Sequence, residues 1–206
     1  MKNPQDFKTA AIALCNAGRF IDSKGWVPAT SGNFSARLSD GTIAITTSGK
    51  HKGHLQVEDI MLIDNEANSL DGKKPSAEAA LHTSLYKRFP AIQAILHPHP
   101  INAVLVSRLF TESVVLENYE LLKAFDGVAT HNYRIKIPIF ANDQDIPRLV
   151  GIIDRYLDKT DRCYGYVIAG HGVYTWGESI PEALRHLEAL DYLFDCECRL
   201  HGVKQP

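Results

Sequence analysis

Residues 75–100 contain the feature that most restricts the fold, a helical pattern that runs directly into a strand ending in prolines. The segment PSAEAALHTSLYKRF is typical of a helix with Ser76 as its cap, and AIQAILHPHP follows it as an apolar strand. Pro98 and Pro100 exclude a helix there, because proline fixes φ, lacks an N–H group and holds the preceding residue extended. A helix that feeds a strand in this way predicts a mixed α/β fold.

The rest of the chain repeats this mixture of helical and strand patterns. Apolar residues three or four apart predict further helices over residues 5–24, 101–110, 119–125, 146–159 and 179–200. Alternating or continuous apolar residues predict strands within 33–47, 59–64, 113–118, 135–140 and 164–177, the last as a single long strand. Asp40 and Gly41 supply a hairpin turn within the first of these. No repeat or linker interrupts the order, so residues 1–206 are predicted to form one domain, with helices on the faces of one sheet.

The overall composition favours a small-molecule partner. The 206 residues include 22 basic and 24 acidic side chains without a basic stripe, which argues against nucleic acid or an anionic membrane as partner. The polar, helical opening segment and the absence of any run of about 20 apolar residues predict a cytosolic protein. Four scattered cysteines are too few for a disulfide scaffold and are expected to stay reduced. A chain of this length can bury a sufficient hydrophobic core without disulfides or a structural metal, so any bound metal is expected to be catalytic.

Three histidines form a candidate metal site. His97 and His99 are two residues apart in an extended segment, so both imidazoles project from the same face. His171 lies between two glycines near the middle of the strand predicted over residues 164–177. Two ligands from one strand and a third from another leave a coordination position open for water or substrate, as catalytic zinc sites require. The alternatives are histidines that are exposed or buried without a metal, and a His171 that only occupies a glycine-rich turn.

Three segments have the composition of anion-binding loops: TSGNFS at 30–35, TTSGKHKG at 46–53 and KPSAE at 74–78. Small hydroxyl residues and glycines expose backbone N–H groups, and a helix beginning at Ser76 would add its dipole. Together the segments predict a phosphate site, although each alone is also typical of an ordinary turn.

Two carboxylates are candidates for acid–base chemistry. Glu78 falls in the first turn of the helix predicted after Ser76, and Glu120 lies at the start of the short helix predicted over residues 119–125. Either carboxylate could instead complement a helix dipole, and the residues by themselves do not decide between the two roles.

The motifs together resemble the class II aldolase/adducin family. SGNFSAR, TTSGKHKG, PSAEAALH, HPHP and HGVYTWG occur in that family's order and approximate spacing, over nearly the whole chain. The resemblance implies a three-layer α/β/α sandwich around a largely antiparallel sheet, one Zn²⁺ per subunit, a sugar-phosphate substrate and a homotetramer. Within the family, LENYELLKAFDGV, IKIPIF and ALDYLFD are most similar to the dehydratases, so the implied reaction removes water from a ketose phosphate. The alternatives are a sugar-phosphate aldolase, a pentulose-phosphate 4-epimerase and a non-catalytic, adducin-like interaction module, although adducin-like relatives lack the metal-binding histidines.

The resemblance also assigns roles to individual residues. The residues that match the zinc ligands are His97, His99 and His171. Those that fall in the substrate-phosphate loops are Asn33, Ser48, Gly49 and Ser76. Glu78 matches the glutamate that sugar-phosphate aldolases place beside the metal, and Glu120 lines up with the acid/base of the dehydratases.

Overall fold

The computed structural model describes residues 4–203, which form five α-helices and eight β-strands. The helices are Pro4–Ser23 (α1), Ala79–Arg88 (α2), Ile101–Leu109 (α3), Ile146–Leu157 (α4) and Ile180–Val203 (α5). The strands are Asn33–Arg37 (β1), Ile43–Thr46 (β2), Ile60–Ile63 (β3), Ala94–His97 (β4), Ser113–Glu117 (β5), Arg134–Phe140 (β6), Gly165–Ile168 (β7) and Gly172–Gly177 (β8). Short 3₁₀ helices cover Lys52–His54, Val57–Asp59 and Glu120–Ala124.

All eight strands belong to one sheet, in the order β3, β2, β1, β4, β8, β7, β6, β5. Every neighbouring pair is antiparallel except β6 and β7, which run parallel. The hairpin predicted around Asp40 and Gly41 joins β1 to β2, and Gly41 has a φ of 83°, which suits glycine. The prediction of a largely antiparallel sheet is confirmed.

Helices cover both faces of the sheet because strand residues alternate between two apolar clusters. On β4, Ala94 and Leu96 face the cluster that contains buried residues of α1, α3 and α5. Ile95, between them, faces the cluster that contains buried residues of α2 and α4. The structure is therefore the predicted three-layer α/β/α sandwich.

The segment 164–177 forms two strands, so its prediction as a single long strand was wrong. β7 ends at Ile168 and β8 begins at Gly172. The chain reverses between them because Gly170 adopts a φ of 66° and the His171 N–H group donates a 3.1 Å hydrogen bond to the Ile168 carbonyl. His171 therefore lies in a hairpin turn and not in the middle of a strand.

Helix α2 begins at Ala79, later than a cap at Ser76 predicts. Glu78 is the N-cap residue, and its side chain makes no capping hydrogen bond. Ser76 forms a turn before the helix, because its hydroxyl accepts the Glu78 N–H group at 3.3 Å and its carbonyl accepts the Ala79 N–H group at 3.1 Å. The Glu78 carboxylate is thereby left for contacts outside the helix.

The pairing of β4 with β8 brings the predicted histidines together. Leu96 pairs with Thr175, and beyond the last pair the Val173 N–H group donates to the Pro98 carbonyl at 3.1 Å. The end of β4 thus lies against the start of β8, beside the turn that carries His171.

Two further expectations concern cysteines and membranes. All four cysteines lie among the described residues, and none of them is paired in a disulfide there. None of the described helices combines the length and the apolar character needed to cross a membrane.

Candidate active site

Three imidazole nitrogens converge where β4 ends and β8 begins. The Nε2 atom of His97 lies 3.0 Å from Nε2 of His99 and 3.4 Å from Nε2 of His171. Nitrogen ligands about 2.0–2.1 Å from a tetrahedral zinc ion lie about 3.3 Å from one another. These three rings, here called the three-histidine cluster, therefore hold their nitrogens at the spacing of metal ligands and form a group able to bind a metal ion.

The surroundings of the cluster keep its rings in a form that can bind a cation. The buried His97 donates from Nδ1 to the Val173 carbonyl over 3.0 Å, which directs its Nε2 toward the other rings. The same ring stacks on Tyr174, with 4.0 Å between the ring centroids. Burial, and after it the neighbouring His97, lowers the pKa of His99 to about 3 and also lowers the pKa of His171. Neutral imidazoles keep the lone pairs that a metal requires.

The Glu78 carboxylate lies against the same cluster. Its Oε1 is 3.3 Å from Nε2 of His171, and its Oε2 is 3.4 Å from Nε2 of His97. Oε2 also accepts a 2.8 Å hydrogen bond from Nδ2 of Asn33. Burial alone raises the pKa of Glu78, but His97, His171 and Asn33 outweigh it, so the pKa lies below its ordinary value. The ionised carboxylate is placed either to join the ligands of a metal or to accept a proton beside it.

A chain of buried hydrogen bonds holds Asn33 in place. Because Nδ2 of Asn33 donates to Glu78, its Oδ1 faces His82 and accepts from Nε2 of that ring. Nδ1 of His82 then accepts from the Ser35 hydroxyl at 2.7 Å, and Ser35 accepts from the Tyr86 hydroxyl at 2.9 Å. Asn33 and Ser35 project from one face of β1, while His82 and Tyr86 are one turn apart on α2. The network fixes the direction in which Asn33 offers its donor to Glu78.

A cavity of about 140 Å³ opens beside His99 and is lined by residues of the predicted anion-binding loops. Its lining includes Asn33, Ser48, Gly49, Ser76, Glu78 and His99. The structure therefore brings the predicted phosphate-loop residues, Glu78 and the three-histidine cluster into one site.

Glu120 does not join this site within one chain. It begins a 3₁₀ helix after β5, its side chain is 72% exposed, and its carboxylate pairs with Lys123 and, at 3.9 Å, with His131. The hydrogen bond from Lys123 lowers the pKa of Glu120. Glu120 lines a separate cavity of about 700 Å³, which shares no described residue with the cavity beside His99. Its acid/base role stays a prediction.

Three residues of the site have no role that the sequence predicts: Lys52, His82 and Tyr174. His82 is fully buried on α2, and the signal for it was a polar residue four positions before Tyr86 in an otherwise apolar helical pattern. Lys52 is one of two lysines in GKHKG, and the sequence does not distinguish it from Lys50. Tyr174 and Val173 face opposite sides of the sheet on β8. The alternation of side chains along a strand was therefore the signal that could have indicated which face Tyr174 occupies.

A second group of possible metal ligands comprises Asp22, His51 and His54, whose ligand atoms lie within 4.8 Å of one another. Its two rings are stacked with centroids 4.5 Å apart, and Nδ1 of His51 already accepts the Gly53 N–H group. This group is more exposed than the three-histidine cluster and lines no part of the cavity beside His99. We therefore take the three-histidine cluster as the candidate catalytic metal centre.

Comparison with known sequences agrees with this geometry. Residues 12–198 match the family described as the Class II Aldolase and Adducin N-terminal domain. The methylthioribulose-1-phosphate dehydratase of Methylococcus capsulatus is 61% identical over 200 residues, which cover 97% of this chain and 98% of the relative. The protein of the same name from Pseudomonas syringae is 50% identical over 195 residues, which cover 94% of this chain and 96% of the relative.

Solved structures share the fold at low sequence identity. An L-fuculose 1-phosphate aldolase superposes with a TM-score of 0.80 at 19% identity, over 100% of this chain and 91% of that chain. The L-fuculose-1-phosphate aldolase of Thermus thermophilus gives a TM-score of 0.75 at 22% identity, over 97% of this chain and 99% of that chain. The match over residues 12–198, together with relatives at 61% and 50% identity, shows that the chain belongs to the class II aldolase and adducin family.

Proposed function

We propose that this protein catalyses the zinc-dependent dehydration of 5-methylthioribulose 1-phosphate to 2,3-diketo-5-methylthiopentyl 1-phosphate, a step of methionine salvage. The observation that carries the proposal is the convergence of three imidazole nitrogens beside a cavity lined by hydroxyl and amide groups. The substrate follows from the names of the relatives at 61% and 50% identity, which align along nearly the whole chain. We further propose that residues 1–206 act as one domain, since one sheet includes all eight described strands.

The three-histidine cluster would hold the zinc ion through its Nε2 atoms. The fit rests on their spacings of 3.0 and 3.4 Å and on the lowered pKa values of two of the three rings. Three imidazole ligands suit zinc and leave a position for substrate. Zinc bound there supplies a Lewis acid that polarises the C2 carbonyl of the ketose.

The phosphate group would lie in the loops at Ser48, Gly49 and Ser76. Hydroxyl and backbone N–H donors favour an oxyanion, and all three residues line the cavity beside the cluster. Asn33 lines the same cavity, but its amide already contacts Glu78 and His82. We therefore assign Asn33 to positioning Glu78 as well as to the phosphate contact predicted from the sequence.

One of the two candidate carboxylates carries the proton in this proposal. Glu78 is ionised beside the cluster, and Glu120 removes the C3 proton and returns a proton to the departing C4 hydroxyl. One chain leaves Glu120 at its surface, so we assign this role to Glu120 of a neighbouring copy in a homotetramer. The exposed side chains of Leu121 and Tyr192, which line the same cavity as Glu120, fit a surface that another copy covers.

The test of the function is turnover of methylthioribulose 1-phosphate by zinc-loaded protein, followed as diketone formation. The Glu120→Gln variant should lose about 10²–10⁴-fold in kcat and keep its zinc, because only the proton carrier is removed. Glu117→Gln is the matched control, since Glu117 is an exposed carboxylate on the neighbouring strand β5. Near wild-type turnover by Glu120→Gln would contradict its assignment, and loss of turnover confined to Glu78→Gln would move the essential base to Glu78.

Mixed oligomers test whether Glu120 acts across copies. His99→Ala and Glu120→Gln chains, each inactive alone, should regain activity when they assemble together. Some combined sites then contain intact zinc ligands from one chain and an intact Glu120 from another. Absence of any regain in verified mixed oligomers would contradict the assignment of Glu120 to a neighbouring copy.

Aldol cleavage of a sugar phosphate is the second candidate function. The observation that favours it is the position of Glu78, 3.3–3.4 Å from two rings of the three-histidine cluster, where the aldolases of the family are expected to carry a glutamate. The product decides between the two functions, since an aldolase breaks a carbon–carbon bond and a dehydratase releases water.

The cytoplasmic location inferred from the sequence stays a prediction.

A further inference from the structure

Two lysines of the loop GKHKG have opposite surroundings. Lys50 is exposed, and its ammonium pairs with Asp59 at 2.9 Å. Lys52 is only 1% exposed, and its ammonium donates to the carbonyl oxygens of Thr30 at 2.8 Å and of Lys50 at 2.6 Å. Within residues 4–203, no carboxylate lies within 4.0 Å of this ammonium. Lys52 is thus a buried cation whose described partners are neutral.

A buried ammonium without a counter-ion is unfavourable unless a bound group supplies the missing charge. Burial lowers the pKa of Lys52 to about 8, so the side chain is still mostly protonated at neutral pH. An ammonium has three N–H donors, and the carbonyls of Thr30 and Lys50 account for two of them. One donor and a full positive charge remain for a ligand.

The loop around Lys52 is closely packed, and the ammonium of that residue is held by the Thr30 and Lys50 carbonyl oxygens. Its backbone lies against α1 at Gly18, where an added Cβ would come within 2.2 Å of the Lys52 carbonyl oxygen. The ring of His51 caps the following 3₁₀ turn by accepting the Gly53 N–H group. The Lys52 side chain lines the same 140 Å³ cavity as Ser48 and the other phosphate-loop residues.

We propose that Lys52 is the counter-ion of an anion site in this cavity and binds the phosphate group of the substrate. The identity of the anion as a phosphate ester rests on the proposed function, whereas the anion site rests on the buried charge itself. Ser48, Gly49 and Ser76 supply uncharged donors around the same volume. Lys50 is not available for this role, because Asp59 already neutralises it.

The alternative is that Lys52 only ties the Thr30 and Lys50 carbonyls together. The two roles predict different effects of Lys52→Gln on phosphate binding. Removal of either role can lower the melting temperature, because Lys52 donates to two carbonyl oxygens. Loss of a counter-ion lowers phosphate affinity, whereas loss of a structural tie in a variant that still folds leaves phosphate affinity unchanged.

The experiment uses zinc-loaded wild type, Lys52→Met, Lys52→Gln and, as matched control, Lys50→Met. Titration calorimetry with inorganic phosphate measures the anion site, thermal denaturation without phosphate measures stability, and turnover of methylthioribulose 1-phosphate is followed in parallel. Phosphate affinity should fall about 10- to 100-fold in both Lys52 variants, as expected for a lost hydrogen bond to a charged group. It should change less than about twofold in Lys50→Met.

Wild-type phosphate affinity in a folded Lys52 variant, or no phosphate binding by the wild type, overturns the proposal. If Lys52→Met does not fold, Lys52→Gln decides, because its amide can still donate to the carbonyls without carrying charge. If neither folds, Lys52 is a structural tie and the proposal is wrong. Lys52-dependent phosphate binding in a protein that does not turn over the substrate would support the anion site and refute the proposed function alone.

Discussion

Replacement of the buried His82 by glutamine should flatten the pH dependence of the protein's stability. His82 is completely buried, with Nε2 donating to Asn33 and Nδ1 accepting from Ser35. Burial, and then the neighbouring His97, lowers the pKa of His82 to about 3, although Glu78 acts in the opposite direction. In the unfolded chain the same imidazole titrates at about 6.5.

The direction of the change in stability depends on whether the folded or the unfolded chain binds the proton. Above pH 6.5 the ring is neutral in both states and contributes no pH dependence. As the pH falls below 6.5, His82 binds a proton in the unfolded chain but stays neutral in the folded protein. The free energy of unfolding therefore decreases until the folded ring itself titrates near pH 3. The loss is about 1.4 kcal/mol per pH unit, or about 2 kcal/mol at pH 5. Out of a typical total of about 5–15 kcal/mol, this is readily measured.

Glutamine is the appropriate replacement because its amide can donate to Asn33 and accept from Ser35 without titrating. Urea unfolding of the metal-free protein would be followed from pH 8.5 to pH 5 for wild type and His82→Gln. Between pH 7.5 and pH 5, the wild type should lose about 2 kcal/mol more of its unfolding free energy than the variant. Between pH 7.5 and pH 8.5 the two curves should run parallel, which serves as the internal control. Parallel curves below pH 6.5 as well would refute the buried neutral imidazole.

Two further predictions concern the metal centre. Alanine at any member of the three-histidine cluster should sharply reduce the bound zinc, measured by elemental analysis. His54→Ala, in the more exposed ligand group, is the control and should retain the zinc. Unchanged zinc content in all three cluster variants would show that the metal binds elsewhere. Gly172→Ala should weaken zinc binding and destabilise the fold by about 1–3 kcal/mol, because the added Cβ would lie 2.5 Å from the Pro98 carbonyl oxygen and 2.7 Å from Cδ2 of His99. Gly202→Ala, with no heavy atom within 4 Å, is the control, and equal melting temperatures for the two glycine variants would contradict the packing argument.

Most elements of the fold follow from local patterns. The apolar spacing of α1 ends before Gly25, which adopts a φ of 73°, and the turn residues between β1 and β2 are those that a hairpin requires. The two faces of the sheet follow from alternation along each strand, as Ala94 and Ile95 illustrate. These features depend on neighbours in sequence, so the sequence is sufficient to predict them.

Other features depend on residues distant in sequence and were not predictable from local patterns. The segment 164–177 lacks the Asn, Asp, Ser and Pro residues of an ordinary turn, so its apolar pattern did not distinguish the reversal at Gly170 and His171 from a continuous strand. The position of Glu120 relative to the histidines depends on the order of strands in the sheet, which the composition of β5 does not specify. The close approach of the Lys52 backbone to Gly18 of α1 likewise joins residues that are distant in sequence.

The two glycines around His171 explain why a pair of histidines in HPHP is not sufficient to form the three-histidine cluster. Gly170 permits the positive φ that reverses the chain, and so turns the third imidazole back toward β4. Gly172 acts differently, because its φ is not in the left-handed region. If the pairing of Leu96 with Thr175 is continued along the two strands, Gly172 lies opposite His99. A side chain at Gly172 would overlap the His99 ring. The same register places Tyr174 opposite His97, where it stacks on the ring. The spacing of the three nitrogens is therefore a property of the pairing between β4 and β8, and a substitution at a glycine that binds nothing should disturb it as surely as the loss of a ligand.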